Sequence, residues 1–156
     1  MLKLTTPARK HRHAFQAFCH EFKQAGETKI QGLYVKPRSY REFLRKYAAN
    51  KFFLMEEGKR KILGMTALTP ELDEATRRLD GDIAYSIVPS ERQKGYGAQQ
   101  LALALTLCND SGLTRVCVTC RKANAPSIKI IQENGGILAE EFMHNDVERQ
   151  VYWISL

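Results

Sequence analysis

At 156 residues the chain has room for one domain with a core of its own. Hydrophobic residues make up 44% and charged residues 26%, enough for a packed core in a soluble chain. No apolar run approaches the roughly 20 residues that span a bilayer as a helix, and the opening MLKLTTPARKHRH lacks the apolar core of a signal peptide. The expectation is therefore a cytoplasmic protein with no membrane partner. Net charge is +7, and a basic surface attracts anions, nucleic acid among them. The basic residues are spread along the chain with small clusters at Arg9–His13 and Lys59–Lys61, and solvated faces account for most of them.

In chain order, Lys3–Thr5 reads as a short strand. Thr6-Pro7 then reads as a helix start, with Thr as N-cap and Pro in the first helical position. Ala14, Phe15, Phe18, Cys19 and Phe22 form one apolar stripe at helical spacing. Arg9, Lys10 and Arg12 sit at the start of that helix, where they oppose its dipole. A loop covers 26–37. Ser39-Tyr-Arg-Glu42 fits a capping box for a second helix to about Ala49. Lys51–Glu56 and Lys61–Leu68, joined at Gly58, read as a β-hairpin. Residues 70–80 are polar, with a helical turn around Leu72–Leu79.

The chain is organised around residues 81–109. The apolar strand Ile83–Val88 runs into Pro89, a polar turn, Arg92-Gln93-Lys94-Gly95-Tyr96-Gly97, and then a nearly continuous apolar helix. The first N–H groups of a helix have no partner within it, and the dipole is positive there. A strand feeding a glycine-bearing turn at a helix start is therefore a device for holding phosphate. Gly95 and Gly97 leave no Cβ in the way of an anion, and Arg92 and Lys94 add charge. A Walker loop is absent. A dinucleotide fingerprint fails because its third glycine position is Gln100.

Gly112 stops the helix, and Thr114–Thr119 reads as a strand parallel to 83–88 through a right-handed crossover. Cys117-Val-Thr-Cys120 spells C-x-x-C, but on a strand positions three apart point to opposite faces. No second pair completes a zinc site, so no metal is expected. With Cys19 and Cys108 the cysteines are too few and scattered for a disulfide scaffold. Asn124-Ala-Pro-Ser127 opens another helix with Asn124 as cap, ended at Asn134-Gly135-Gly136. Ile137–Met143 and Val147–Ile154 close the chain as a hairpin. The order predicts a mixed α+β fold, a mixed sheet with helices on both faces.

Ile87-Val88-Pro89-x-x-Arg92-x-x-Gly95-x-Gly97, the later Asn124-x-x-Ser127-Ile128 helix and the terminal hairpin resemble the GNAT family, the Gcn5-related N-acetyltransferases. The likeness covers about residues 51–156, with a looser fit before, and Tyr85-Ser-Ile-Val-Pro-Ser-Glu-Arg92 is similar to a subgroup of bacterial acetyltransferases. The resemblance implies one acyltransferase domain over 1–156, with a central mixed, mostly antiparallel sheet whose parallel strand pair, 83–88 and 114–119, splays apart and holds acetyl-CoA between its strands. Backbone N–H groups from Arg92, Gln93, Lys94, Gly95, Tyr96, Gly97 and Ala98 would hold the pyrophosphate. Ile87 and Val88 would pair with the pantetheine, and one of their N–H groups would steady the oxyanion. Asn124 and Ser127 would contact the pantetheine arm.

The implied reaction is transfer of acetyl to a primary amine of a small molecule or peptide by direct attack in a ternary complex, without metal. Asp82 is the first candidate for the base that takes the amine's proton, with Glu140, Glu141 and His144 behind it. Many relatives carry a proton-donating tyrosine on the last helix; its place here is Ile131. Tyr85, Tyr152 or a cysteine would substitute, or the thiolate leaves unaided. The alternative reading is a non-catalytic acyl-CoA-binding sensor or partner subunit. Nucleic acid is not expected as a partner, for want of a motif. Tyr34, Tyr85 and Trp153 are candidates for the acceptor side, and a homodimer through the last strands is compatible with the pattern.

Overall fold

The computed structural model describes residues 1–33 and 36–156; Tyr34 lies outside the described residues. They form seven strands and five α-helices: β1 (Leu2–Thr5), α1 (Arg12–Gln24), α2 (Tyr40–Lys46), β2 (Lys51–Glu56), β3 (Ile62–Leu68), α3 (Glu74–Asp80), β4 (Ile83–Ile87), α4 (Tyr96–Asp110), β5 (Arg115–Arg121), α5 (Ala125–Glu133), β6 (Ile137–His144) and β7 (Val147–Ser155). The strands make two sheets, β1-β2-β3-β4 and β5-β7-β6. The mixed α+β class and the mostly antiparallel pairing are as expected, and β4 and β5, the strands expected to splay, belong to different sheets. The chain separates into two compact units, one of residues 1–67 and 85–100, the other of 68–84 and 101–156.

The first unit is built on aromatic packing. Phe15, Phe18 and Phe22 line the buried stripe of α1, and Tyr40 and Phe43 that of α2. They pack with Phe53, Met55, Ile62 and Met65 of the β2–β3 hairpin. Phe15 and Phe43 stack at 4.5 Å between ring centres; such a pair is worth about 0.5–1.5 kcal/mol beyond the area it buries. Ser39 caps α2 as its spacing predicts, its Oγ accepting from Glu42 N–H at 3.1 Å. That helix stops three residues short of the expectation because Lys51 N–H donates back to Ala48 O and turns the chain into β2.

The start of α1 also differs from the sequence expectation. Thr6 and Pro7 do not open it; a 3-10 turn at Arg9–His11 comes first, after an extended Ala8. His11 explains the delay. Its ring is buried, stands edge-on to Phe53 and accepts Ala8 N–H through Nδ1 at 3.1 Å.

Gly64, inside β3, holds the first unit's tightest approach. A Cβ there would lie 2.5 Å from Ser86 O and 2.7 Å from Gln100 Oε1. Gln100 is fully buried and donates through Nε2 to Thr66 Oγ1 at 2.8 Å. Strand β4 and the first turn of α4 are therefore seated against β3 at a place only glycine fits.

In the second unit, β7 pairs with β5 (Cys117 opposite Trp153) and with β6. The β6–β7 turn uses Asn145 and Asp146, both at positive φ, the geometry of a tight hairpin turn. The polar stretch before β4 holds a full helix, α3, capped by Asp73 Oδ1 accepting from Thr76 N–H at 3.0 Å. It docks on β5, where Thr119 Oγ1 donates to Leu79 O at 2.9 Å.

Candidate active site

The loop after β4 is set by its own turn and by acidic residues from far upstream. A 3-10 turn covers Pro89–Glu91 and α4 begins at Tyr96. Gln93 and Gly95 lie at positive φ (61° and 80°), which turns the backbone sharply before the helix. A Cβ on Gly95 would have Gln99 Nε2 at 3.9 Å as its nearest neighbour, so the space beside it is open. The amides of Tyr96 and Gly97 begin α4 and have no acceptor inside it. This is the local geometry that a phosphate group needs.

The loop's cations are engaged. Arg92 forms a two-pronged pair with Glu27, at 2.6 and 2.9 Å, and donates through Nε to Ile87 O at 3.1 Å. The Arg92 hydrogen bonds hold the Glu27 carboxyl below the usual carboxylate range. Lys94 and Lys61 both pair with Glu91, at 2.9 and 2.5 Å. Glu21 of α1 accepts Ser90 N–H at 2.7 Å. Glu21 and Glu27 are the loop's two supports that sequence motifs miss, because no local signal marks them. They lie 69 and 65 residues before their partners.

The backbone at the end of β4 is partly committed. Val88 N–H donates to Leu63 O, and Val88 O accepts from Glu91 N–H. Adjacent strand residues alternate their hydrogen-bonding edges. Ile87 N–H and C=O therefore point away from β3, along the outer edge of the last strand in this sheet, where the carbonyl accepts from Arg92 Nε.

Asp82 stands just before β4 in the second unit and is buried. Oδ1 accepts from Arg77 Nε at 2.8 Å, and Oδ2 from Cys117 N–H at 2.7 Å. Its own N–H donates to Cys117 O at 2.7 Å. Both carboxylate oxygens thus serve to join α3, the start of β4 and β5. The residue also borders a cavity of about 270 Å³ with Arg77, Arg115 and Trp153. Burial, then the Asp82 charge, pushes the Cys117 thiol up to about 12, which leaves it a neutral packing group.

Asn124 caps α5, its Oδ1 accepting from Ser127 N–H at 3.2 Å. Ser127 also bonds with Cys120. Ile131 is fully buried, and a Cβ on Gly136 would fall 2.3 Å from its Cγ2. Packing thus occupies the place where many relatives carry tyrosine. Tyr152 is buried and donates to Gln150 Oε1 at 2.7 Å, while Gln150 Nε2 donates to Glu141 Oε1. Burial, with Cys120 and Glu141 nearby, raises the Tyr152 pKa. Glu140 is paired with Arg78, and Glu141 with Lys122. His144 is exposed on the β6–β7 turn, and Tyr85 is half-buried in β4.

Against known proteins, residues 2–137 match the model of the acetyltransferase (GNAT) domain. The chain belongs to the GNAT acetyltransferase family. Its fold is similar to that of a GNAT-family acetyltransferase from Bacillus anthracis, with 18% identity, 99% of this chain and 94% of that one covered, and a TM-score of 0.76. It is similar also to the microcin C7 self-immunity acetyltransferase in complex with acetyl-CoA and AMP (17% identity, 99% and 92% covered, TM-score 0.73). An aminoglycoside acetyltransferase in complex with coenzyme A aligns at 12% identity over 99% and 95% of the two chains, TM-score 0.69. No curated protein matches the sequence. Acetyl transfer is therefore the general activity to which the chain belongs. Among the described residues no helix is long and apolar enough to cross a membrane.

Proposed function

We propose that the protein transfers acetyl from acetyl-CoA to a primary amine of a small molecule or peptide, the whole chain acting as one acyltransferase domain in the cytoplasm. The observation that carries this reading is the turn at 92–97: two positive-φ residues, open space at Gly95 and a helix start at Tyr96. The pyrophosphate would rest on the amides between Arg92 and Ala98, those of Tyr96 and Gly97 first, since Arg92 N–H donates to Pro89 O. Arg92 and Lys94 are balanced by carboxylates, so the amides supply the recognition and the cations hold the loop in shape. Acetyl-CoA supplies the activated acyl group. Ile87 N–H, on the outer edge of β4, suits a pantetheine lying as an added strand, while Ile87 O already accepts from Arg92 Nε. Val88 is the weaker partner, since both its backbone groups are engaged. Asn124 and Ser127 would meet the pantetheine arm while still capping α5.

The neutral amine attacks the thioester carbonyl carbon, the tetrahedral intermediate collapses, and the C–S bond breaks to release the CoA thiolate. The amine's proton leaves through water or a carboxylate. Asp82 suits this role less well than its position suggests, because both oxygens already accept hydrogen bonds. Tyr85 is the remaining candidate acid on β4, and a thiol with a pKa near about 8.5 can also leave unprotonated. Proximity and oxyanion donors would then provide most of the rate.

A thiol-release assay across amines, peptides and aminoglycosides tests the reading. Acetyl-CoA-dependent release with one amine class, and a mass gain of one acetyl on that amine, is the expected result. Tight acetyl-CoA binding with no turnover on any amine would favour a non-catalytic acyl-CoA sensor. The buried Ile131 in the tyrosine's place is the observation on that side.

A further inference from the structure

The net charge of the protein is carried by one segment. Residues 9–46 hold ten Lys and Arg against three Glu, a net +7, while the remaining residues hold fourteen of each sign and are neutral. All ten cations are exposed. The three carboxylates are engaged: Glu21 with Ser90 N–H, Glu27 with Arg92, and Glu42 with Arg38 N–H and Lys46. Among the described residues, Lys46 is the one cation of the ten with an ion pair. Elsewhere charges are mostly matched, as in Arg77–Asp82, Arg78–Glu140 and Lys122–Glu141.

The fold gathers part of this charge. Tyr40 OH donates to Ala8 O at 2.8 Å, so the starts of α1 and α2 lie within one side chain of each other. Arg9 and Lys10 follow Ala8 in the chain, and Arg38 and Arg41 flank Tyr40, so this bond draws two cationic stretches together. Repulsion among them, and with the α1 dipole, opposes folding.

We infer that this face of the first unit binds the sugar-phosphate backbone of a nucleic acid duplex, without reading its sequence. The absence of apolar anchors distinguishes this partner from an acidic protein. Protein interfaces centre on aromatic and apolar anchors. The exposed large apolar residues among the described ones are Met1, Ile137, Leu138 and Met143, none of them in 9–46. The segment's described aromatic side chains, Phe15, Phe18, Phe22, Tyr40 and Phe43, are buried in the core, so stacking on unpaired bases is also excluded for them. What remains is phosphate contact, for which arginine's fork is well shaped.

The test is fluorescence anisotropy with a labelled mixed-sequence duplex of about 20 base pairs, as DNA and as RNA, across a salt series. Five phosphate contacts predict a slope of log K against log salt of about −4.5, and a loss of about 10²–10³-fold between about 50 and 200 mM. Replacing Arg9, Lys10, Arg12, Arg38 and Arg41 by Gln should abolish binding in a protein whose melting temperature is unchanged or raised. Replacing Lys3, Lys59, Arg60, Arg121 and Lys129 by Gln should leave most of it. Stronger binding to one duplex form identifies which nucleic acid is held. Absence of binding at low salt, equal losses in the two variants, or tighter binding to polyglutamate or anionic vesicles would overturn the inference.

Discussion

The loop at 87–98 and the region around Asp82 and α5 solve different problems. The loop is made of backbone: glycine, positive φ and a helix start present amides to an anion, and side chains brace them from behind. The second region is made of side chains whose polar atoms are already used. Asp82 binds Arg77 and Cys117 N–H, Tyr152 binds Gln150, and Ile131 fills its site with carbon. On the proposed reading, recognition of the acyl donor rests on main-chain geometry, while the side chains proposed for acid–base work are engaged in hydrogen bonds. Such an enzyme leans on positioning and oxyanion stabilisation rather than on a dedicated proton donor.

That contrast can be broken by substitution. The largest effect is expected from Gly97→Glu, which puts a carboxylate at the α4 start. Acetyl-CoA affinity should fall by at least about 100-fold, which is about 2.7 kcal/mol, in a folded protein; calorimetry measures it. Gly64→Ala should act on the scaffold instead, since its Cβ meets Ser86 O at 2.5 Å. A cost of about 1–3 kcal/mol lowers Tm by several degrees in thermal unfolding.

Asp82→Asn sharpens the comparison. As a tie between β4 and β5, Asp82 should cost about 1–3 kcal/mol of stability when its charge is removed, with turnover little changed at temperatures where the variant is folded. Turnover slowed by about a hundredfold or more at unchanged Tm would instead make it the base.

The smallest effect concerns pH. Burial, then the nearby Lys10 charge, lowers the His11 pKa below 6.5. The unfolded chain therefore binds this proton more readily, and the associated stability is present above about pH 6.5 and lost as pH falls through the lower folded value. Tm should decline over that window, and His11→Gln should flatten the decline.

How much of this was legible in the sequence follows the same division. Local signals worked where structure is local: the caps at Ser39 and Asn124, the turn at Gly58, the strand pattern at 51–56 and 62–68, and the Arg92-to-Gly97 loop on its helix start. They failed at the start of α1, where a buried His11 reaching back to Ala8 overrode the Thr6-Pro7 signal. They also underestimated residues 70–80, because α3 has no fully buried side chain of its own and is held through Arg78 and Leu79 O. The pairs Arg92–Glu27 and Ser90–Glu21 join residues distant in sequence, and one sequence carries no mark of such pairing. Gly64 did carry one: a glycine inside a strand pattern signals close backbone approach.

The most direct test of the central claim is a calorimetric titration of the purified protein with acetyl-CoA, with free CoA and NADH alongside. The proposed donor site predicts saturable micromolar binding of acetyl-CoA, comparable binding of CoA through the shared pyrophosphate and pantetheine, and far weaker binding of NADH, which has a pyrophosphate but no pantetheine arm. No heat from acetyl-CoA in a protein with an intact melting transition would contradict it, and would reduce the turn at 92–97 to an ordinary strand-to-helix connection.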